Sequence, residues 1–307
     1  MTRLILDCDP GHDDAIALLL ALASPELELL GVTTVAGNQT LAKTTANAIR
    51  VLDHVARGDV PVAAGAQRPL VRERVAREDH GETGLDGPDL PPPARAPVGE
   101  HAIDWIAEQL TAAGGPVTLV ATGPLTNVAL FLARHPQLKA SIERIVLMGG
   151  AIGTGNVTPA AECNMWVDPE AAHRVFSSGL DVTMVGLDVT HKALMRDSHA
   201  ARLEASGTAG TLVADLYRFY ARHHARRYGW DGAPVHDAVA LAHVVDGRLL
   251  EVRDCAVRVD TGPEPSRGRT YVDLQETTGW RERCHVAVDI DAERFLELLV
   301  ERISTLG

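Results

Sequence analysis

Three things are scarce in this sequence. Its four cysteines, Cys8, Cys163, Cys255 and Cys284, stand far apart with no Cys-x-x-Cys spacing. That indicates neither a zinc site nor a disulfide framework and leaves four small, buried side chains. No apolar run approaches the roughly 18 residues of a membrane span. One Arg and three consecutive apolar residues precede Asp7, too little for a secretory signal, so the cytoplasm is the expected compartment. Positive charge is also in deficit: 29 basic against 41 acidic residues give a formal charge of -12. This argues against a nucleic-acid backbone or an anionic membrane as partner and leaves a neutral small molecule open. Internal repeats and linkers are missing too, so residues 1–307 read as one α/β domain. With 46% hydrophobic and 23% charged residues, the chain can build a large core.

What is present begins at the N-terminus. Leu4-Ile5-Leu6 is an apolar run of the kind a buried parallel strand shows, and Pro10-Gly11 breaks it. Asp7, Asp9, Asp13 and Asp14 put four carboxylates within eight residues at that strand end, before an apolar helical segment starting near Ala15. Asp13 can cap this helix, whose N-terminal partial charge eases the crowding of the acids. A hard cation held by oxygen ligands would relieve the remaining repulsion, and calcium and magnesium both fit. Turn and cap chemistry is the competing reading for any single Asp. An EF-hand starting at Asp7 would need Glu at its twelfth position, which is Leu18. A haloacid-dehalogenase-like phosphatase shares Asp-x-Asp after its first strand, but expects Thr or Val where Gly11 and His12 stand.

Further strands are expected at Leu27 to Ala36, Val60 to Ala64, Val117 to Ala121, Arg144 to Met148 and Asp181 to Val189. Helices are expected from Thr40 to about Ala56, Glu100 to Ala113, after Thr126, and twice between Ser198 and Tyr228, parted near Gly207 to Gly210. The alternation predicts an open, mostly parallel central sheet flanked by helices. Leu250 to Asp260, Arg269 to Gln275 and Cys284 to Asp289 alternate like strands of a small subsidiary sheet before a final helix, Ala292 to Ile303. Residues 65–97 are rich in Pro, Gly and charge, too long for a plain connection, and read as a functional surface loop. The glycines at 149, 150, 153 and 155 invite a dinucleotide reading, but the full spacing would need Gly at Thr158 and a helix at once. Asn38 and Thr122 stand at strand ends, where turn and pocket roles are both open. His80 reads in isolation as a solvated loop histidine, the Arg222 to Tyr228 run as mostly a solvated helix face, and Asp237 as an N-cap.

The stretch Asp7-Cys8-Asp9-Pro10-Gly11-His12-Asp13-Asp14 resembles the signature of the nucleoside hydrolases of the inosine-uridine type. Val32 to Asn38, His80-Gly81-Glu82-Thr83-Gly84, Ala121 to Asn127, Val146 to Gly150, Glu162-Cys163-Asn164 and Val235-His236-Asp237 are similar to further family pieces, in family order. The resemblance implies hydrolysis of the N-glycosidic bond of ribonucleosides such as inosine and uridine. It implies calcium held by Asp9, Asp14, the Thr122 carbonyl and Asp237, with Asp9 as the base for water and His236 as the acid for the leaving base. Asp13, Asn38, Asn156, Glu162 and Asn164 would bind the ribose or lie by the water, and His80 and Tyr228, with Arg227 and Trp230, would lie near the base. It also implies a homodimer or homotetramer. The alternatives are a calcium-dependent nucleoside-binding protein without turnover, which has no need for both Asp9 and His236, and a phosphatase, which requires magnesium and a phosphorylated substrate.

Overall fold

A computed structural model describes residues 1–75 and 79–306. In chain order the elements are β1 (Thr2–Cys8), α1 (His12–Ala23), β2 (Leu27–Thr34), α2 (Leu41–His54), β3 (Val62–Ala64), α3 (Ala102–Ala112), β4 (Val117–Ala121), α4 (Thr126–Arg134) and β5 (Ile142–Met148). They continue with α5 (Cys163–Val167), α6 (Pro169–Phe176), β6 (Val182–Val185), α7 (Leu187–Thr190), β7 (Leu194–Met195), α8 (Asp197–Glu204), α9 (Thr208–Tyr228) and β8 (Ala233–Pro234). The last are α10 (His236–Val245), β9 (Leu250–Val259), β10 (Thr270–Asp273), β11 (Arg283–Ile290) and α11 (Ala292–Ile303).

Nine strands form one sheet in the order β10-β9-β11-β6-β5-β4-β1-β2-β3, mostly parallel as the apolar runs predict. Both faces are covered. Leu4, Leu6 and Cys8 of β1 pack into a core shared with α1, α2, α9, α10 and α11, while Ile5 points to a second core shared with α3, α4 and α6. The chain therefore winds outward from β1 in one direction through β2 and β3, and from β4 in the other through β5 and β6. Between β1 and β4 the winding reverses, and in open α/β sheets the crevice at the carboxyl ends of such strands is where ligands bind.

Several local expectations are corrected. The strands β9, β10 and β11 do not make a sheet of their own. β11 runs antiparallel to β9 but pairs in parallel with β6 at His285 with Thr183 and Val286 with Met184, which welds them to the central sheet. A separate small sheet does exist, between β7 and β8. The strand expected from Asp181 to Val189 ends at Val185, and Leu187–Thr190 forms the helical turn α7. Gly186 makes that change possible, since a Cβ there would sit 2.8 Å from the Gly150 carbonyl oxygen. Asp13 does not cap α1: the helix begins at His12, and Asp14 instead accepts the Gly11 N–H at 3.0 Å. Asp237 likewise lies in the first turn of α10, with Val235 at the cap position. Gly207, at φ 129°, parts α8 from α9 as expected.

Candidate active site

Backbone bonding brings the first pieces together. The Thr122 N–H donates to the Asp7 carbonyl at 2.8 Å and the Val35 N–H to that of Cys8 at 3.0 Å, so the ends of β4 and β2 flank the acids at the end of β1. Asp7 is structural: its Oδ1 accepts from the Thr33 hydroxyl (2.6 Å) and the Asn127 amide (2.7 Å), and burial raises its carboxyl to about 6. Asp9 lies between two glycines. A Cβ on Gly37 would come within 2.1 Å of its Oδ2 and one on Gly123 within 2.6 Å of its Oδ1, so the backbone closes on this carboxylate from both sides. The Asn38 N–H donates to Oδ2 at 2.6 Å, and the Asn38 amide reaches the Asp9 carbonyl at 3.2 Å.

Asp13, Asp14 and Asp237, all buried, offer carboxylate oxygens within 4.8 Å of one another. Burial, then Asp13, Asp14 and Asp9, hold the Asp237 carboxyl well above the usual carboxylate range, and burial raises Asp14 too. Like charges this close cannot all ionise without a countercharge. An all-oxygen, buried donor set of this kind fits a hard divalent cation. The triad includes Asp13 alongside two of the ligands that the resemblance implies. Asp9 adjoins it, and the Thr122 hydroxyl donates to Asp14 at 2.8 Å while its carbonyl accepts the Asn164 amide at 2.7 Å.

Asp13, Asn38, His80, Thr122, Asn156, Glu162, Asn164, Tyr228, His236 and Asp237 line one cleft. Asp9 and Asp14 do not line it, but each bonds a residue that does. Glu162 also caps the short α5: its carboxylate accepts the backbone N–H groups of Asn164 (2.9 Å), Met165 (3.3 Å) and Gly150 (3.0 Å), which fix it at the cleft wall. Asn156 is held by the Cys163 N–H, 3.0 Å from its Oδ1. His80 is not a solvated loop residue. It is buried, because residues 79–86 dock on α2 and on the acid stretch: the Gln39 amide donates to the Gly81 carbonyl (2.9 Å) and that of Asn47 to those of Thr83 (2.9 Å) and Pro10 (3.1 Å).

Sequence reasoning missed an aromatic wall. His12 stacks on His80 (5.3 Å), Phe219 (5.0 Å) and Tyr220 (5.4 Å), and its Nε2 lies 2.8 Å from the Asp86 carbonyl. Tyr228 and Trp230 stack at 4.8 Å, His224 stacks on Trp230 at 5.6 Å, and His191 meets Trp230 edge-on at 5.0 Å. Of the run expected on a solvated face, His223 and His224 line the cleft, and burial lowers the His224 imidazole to about 4. Tyr228 and Trp230 reach the cleft; Arg227 stays exposed and touches the Asn156 carbonyl at 3.5 Å. The signal was available: Tyr220, His224 and Tyr228 recur every four residues and share one face of α9.

The chain as a whole is similar to known proteins. Residues 4–297 match the family model described as inosine-uridine preferring nucleoside hydrolase. The chain is 51% identical over 304 residues to a pyrimidine-specific ribonucleoside hydrolase RihA of Shewanella sp. (strain MR-7), covering 98% of this chain and 96% of that one. It is 50% identical over 307 residues to the RihA of Salmonella arizonae, covering 99% of each. Among solved structures, a plant nucleoside hydrolase (TM-score 0.92) and a purine-preferring ribonucleoside hydrolase from Gardnerella vaginalis (TM-score 0.93) are each 34% identical, with 99% of both chains covered.

Proposed function

The chain belongs to the inosine-uridine preferring nucleoside hydrolase family, and we propose that it hydrolyses the N-glycosidic bond of ribonucleosides, pyrimidine ribonucleosides foremost, to free base and ribose. The observation that carries the reading is the cleft itself: a buried carboxylate triad at the sheet's switch point, faced by an imidazole, His236, and walled by aromatic rings. The preference for pyrimidines rests on relatives about 50% identical that carry that specificity in their names, against a purine-preferring one at 34%.

Asp13, Asn156, Glu162 and Asn164 offer the ribose carboxylate and amide groups suited to its hydroxyls. Asp9, gripped between Gly37 and Gly123, takes the proton from the attacking water. A base on one side of the sugar and an acid on the other is the inverting arrangement, in which water displaces the base directly. His236 donates a proton to the departing base, a role open to an imidazole because it can be protonated near neutral pH. The rings of Tyr228, Trp230 and His80 enclose that base. A divalent cation held by Asp9, Asp14, Asp237 and the Thr122 carbonyl, with Asp13 beside them, would supply positive charge that acidifies a water and orients the ribose. Calcium as that cation, and a cytoplasmic homo-oligomer, belong to the same proposal.

The test is a chromatographic assay of purified protein against a nucleoside panel, with calcium and with chelator. Uridine and cytidine should release free base and reducing sugar, lose turnover on chelation and regain it with calcium. Binding without release of ribose from any nucleoside would refute hydrolysis, and full turnover in protein containing no divalent ion would remove the cation.

A further inference from the structure

We propose that Thr190 is a positioning residue for this reaction: its hydroxyl holds Nδ1 of His236 and thereby aims the opposite ring nitrogen, Nε2, at the leaving base. The inference rests on the reading above, in which His236 is the acid. Its observation is a hydrogen bond of 2.7 Å between the Thr190 hydroxyl and His236 Nδ1, joining two buried side chains from separate elements.

Thr190 is the better fixed of the two. It ends α7, the turn that follows directly on β6, and that turn is held from three directions. Gly186 packs against the Gly150 backbone, the Asp188 carboxylate accepts the N–H groups of Ile152 (2.6 Å) and Gly153 (3.1 Å), and the Thr190 N–H bonds the Gly186 carbonyl at 3.2 Å. A β-branched side chain has few χ1 choices in such a turn, so the hydroxyl stands where the sheet puts it. His236 is the first residue of α10, entered through a two-residue strand, β8. His191 flanks its ring at 5.5 Å with a 60° tilt, a contact that sets distance more than orientation.

A hydroxyl both donates and accepts, so it can keep Nδ1 in either protonation state. It accepts from Nδ1–H while the ring is charged. When the C1′–N bond breaks and its electron pair goes to the base, Nε2 passes its proton to that base, and the ring is left as the neutral Nδ1–H tautomer in the same hydrogen bond. A carboxylate at Nδ1 would favour the charged ring and hold the proton back. A threonine orients the ring without that penalty on transfer.

The experiment compares Thr190→Val, which keeps the shape and removes the hydroxyl, with Thr190→Ser, which keeps the hydroxyl. Uridine needs a protonated leaving group; p-nitrophenyl riboside does not, because its phenolate departs unaided. Thr190→Val should lower kcat on uridine by about 10- to 100-fold, the range for loss of a buried hydrogen bond. KM and the p-nitrophenyl riboside rate should stay within about 3-fold, as expected when an interaction made only in the transition state is removed, and Thr190→Ser should recover most of the uridine rate. If Thr190→Val does not fold, Thr190→Ala takes its place in the same comparison. Equal losses on both substrates, an unchanged uridine rate, or no recovery with Ser would overturn the positioning role. Wild-type protein inactive on both substrates would instead overturn the hydrolase reading beneath it.

Discussion

Replacing Gly37 by alanine tests the grip on Asp9 with a single methyl group. The new Cβ would stand 2.1 Å from Asp9 Oδ2 and 2.7 and 2.8 Å from two ring carbons of Pro124. An ordinary carbon–oxygen contact needs more than 1 Å of extra room, and Pro124 opens the turn before α4, so the carboxylate is the group that gives way. A misplacement of about 1 Å at a reacting group costs on the order of 10²-fold in rate. The overpacking itself should cost about 1–3 kcal/mol of stability, which a protein with a core this large tolerates. The expectation is therefore a folded variant with a modestly lower Tm and kcat on uridine reduced by about 10²-fold. Gly99→Ala is the control, because a Cβ there meets nothing within 4 Å. Steady-state kinetics and a thermal melt on the three proteins decide the matter. A Gly37→Ala enzyme that keeps more than about a third of wild-type kcat would show that the position of Asp9 is not what the rate depends on.

Two further outcomes follow from the same geometry. Asp9→Asn should leave folding intact, since the amide still accepts the Asn38 N–H, yet lower kcat by at least about 10²-fold because it takes no proton; a change of only a few-fold on uridine would leave Asp9 as a ligand alone. Burial, ahead of Arg144 and His285, lowers the His243 imidazole from 6.5 to about 4, and its Nδ1 has no hydrogen-bond partner among the described residues. The unfolded chain takes up that proton near pH 6.5 and the folded one only near 4, so this stability is complete above 6.5 and falls as pH drops through the window. Urea unfolding at pH 7.5 and 5.0 should show a loss about 2 kcal/mol smaller for His243→Leu than for wild type, and equal losses would refute the assignment.

How far the sequence reveals this molecule depends on which interactions leave a local pattern. The central strands are buried on both faces, so each carries an apolar run, Leu4 to Leu6, Leu119 to Ala121 and Ile145 to Met148, and the acids after β1 stand out because four carboxylates at one strand end require a reason. The attachment of β11 to β6 leaves almost no pattern, resting on two residue pairs, so the alternation of β9 to β11 predicts strands but not the sheet they join. At the site the same division holds. Acids and amides at strand ends announce themselves, whereas His12 looks like a spacer between acids until His80, Phe219 and Tyr220 close around it from two other segments. Thr190 is the extreme case. A threonine after a β-branched strand is ordinary in sequence, and only the return of the chain 46 residues later, bringing His236 Nδ1 to 2.7 Å from its hydroxyl, gives it a partner. Groups that meet substrate are thus restricted in residue type and visible one by one, while groups that aim them are restricted only in place, which the fold alone supplies.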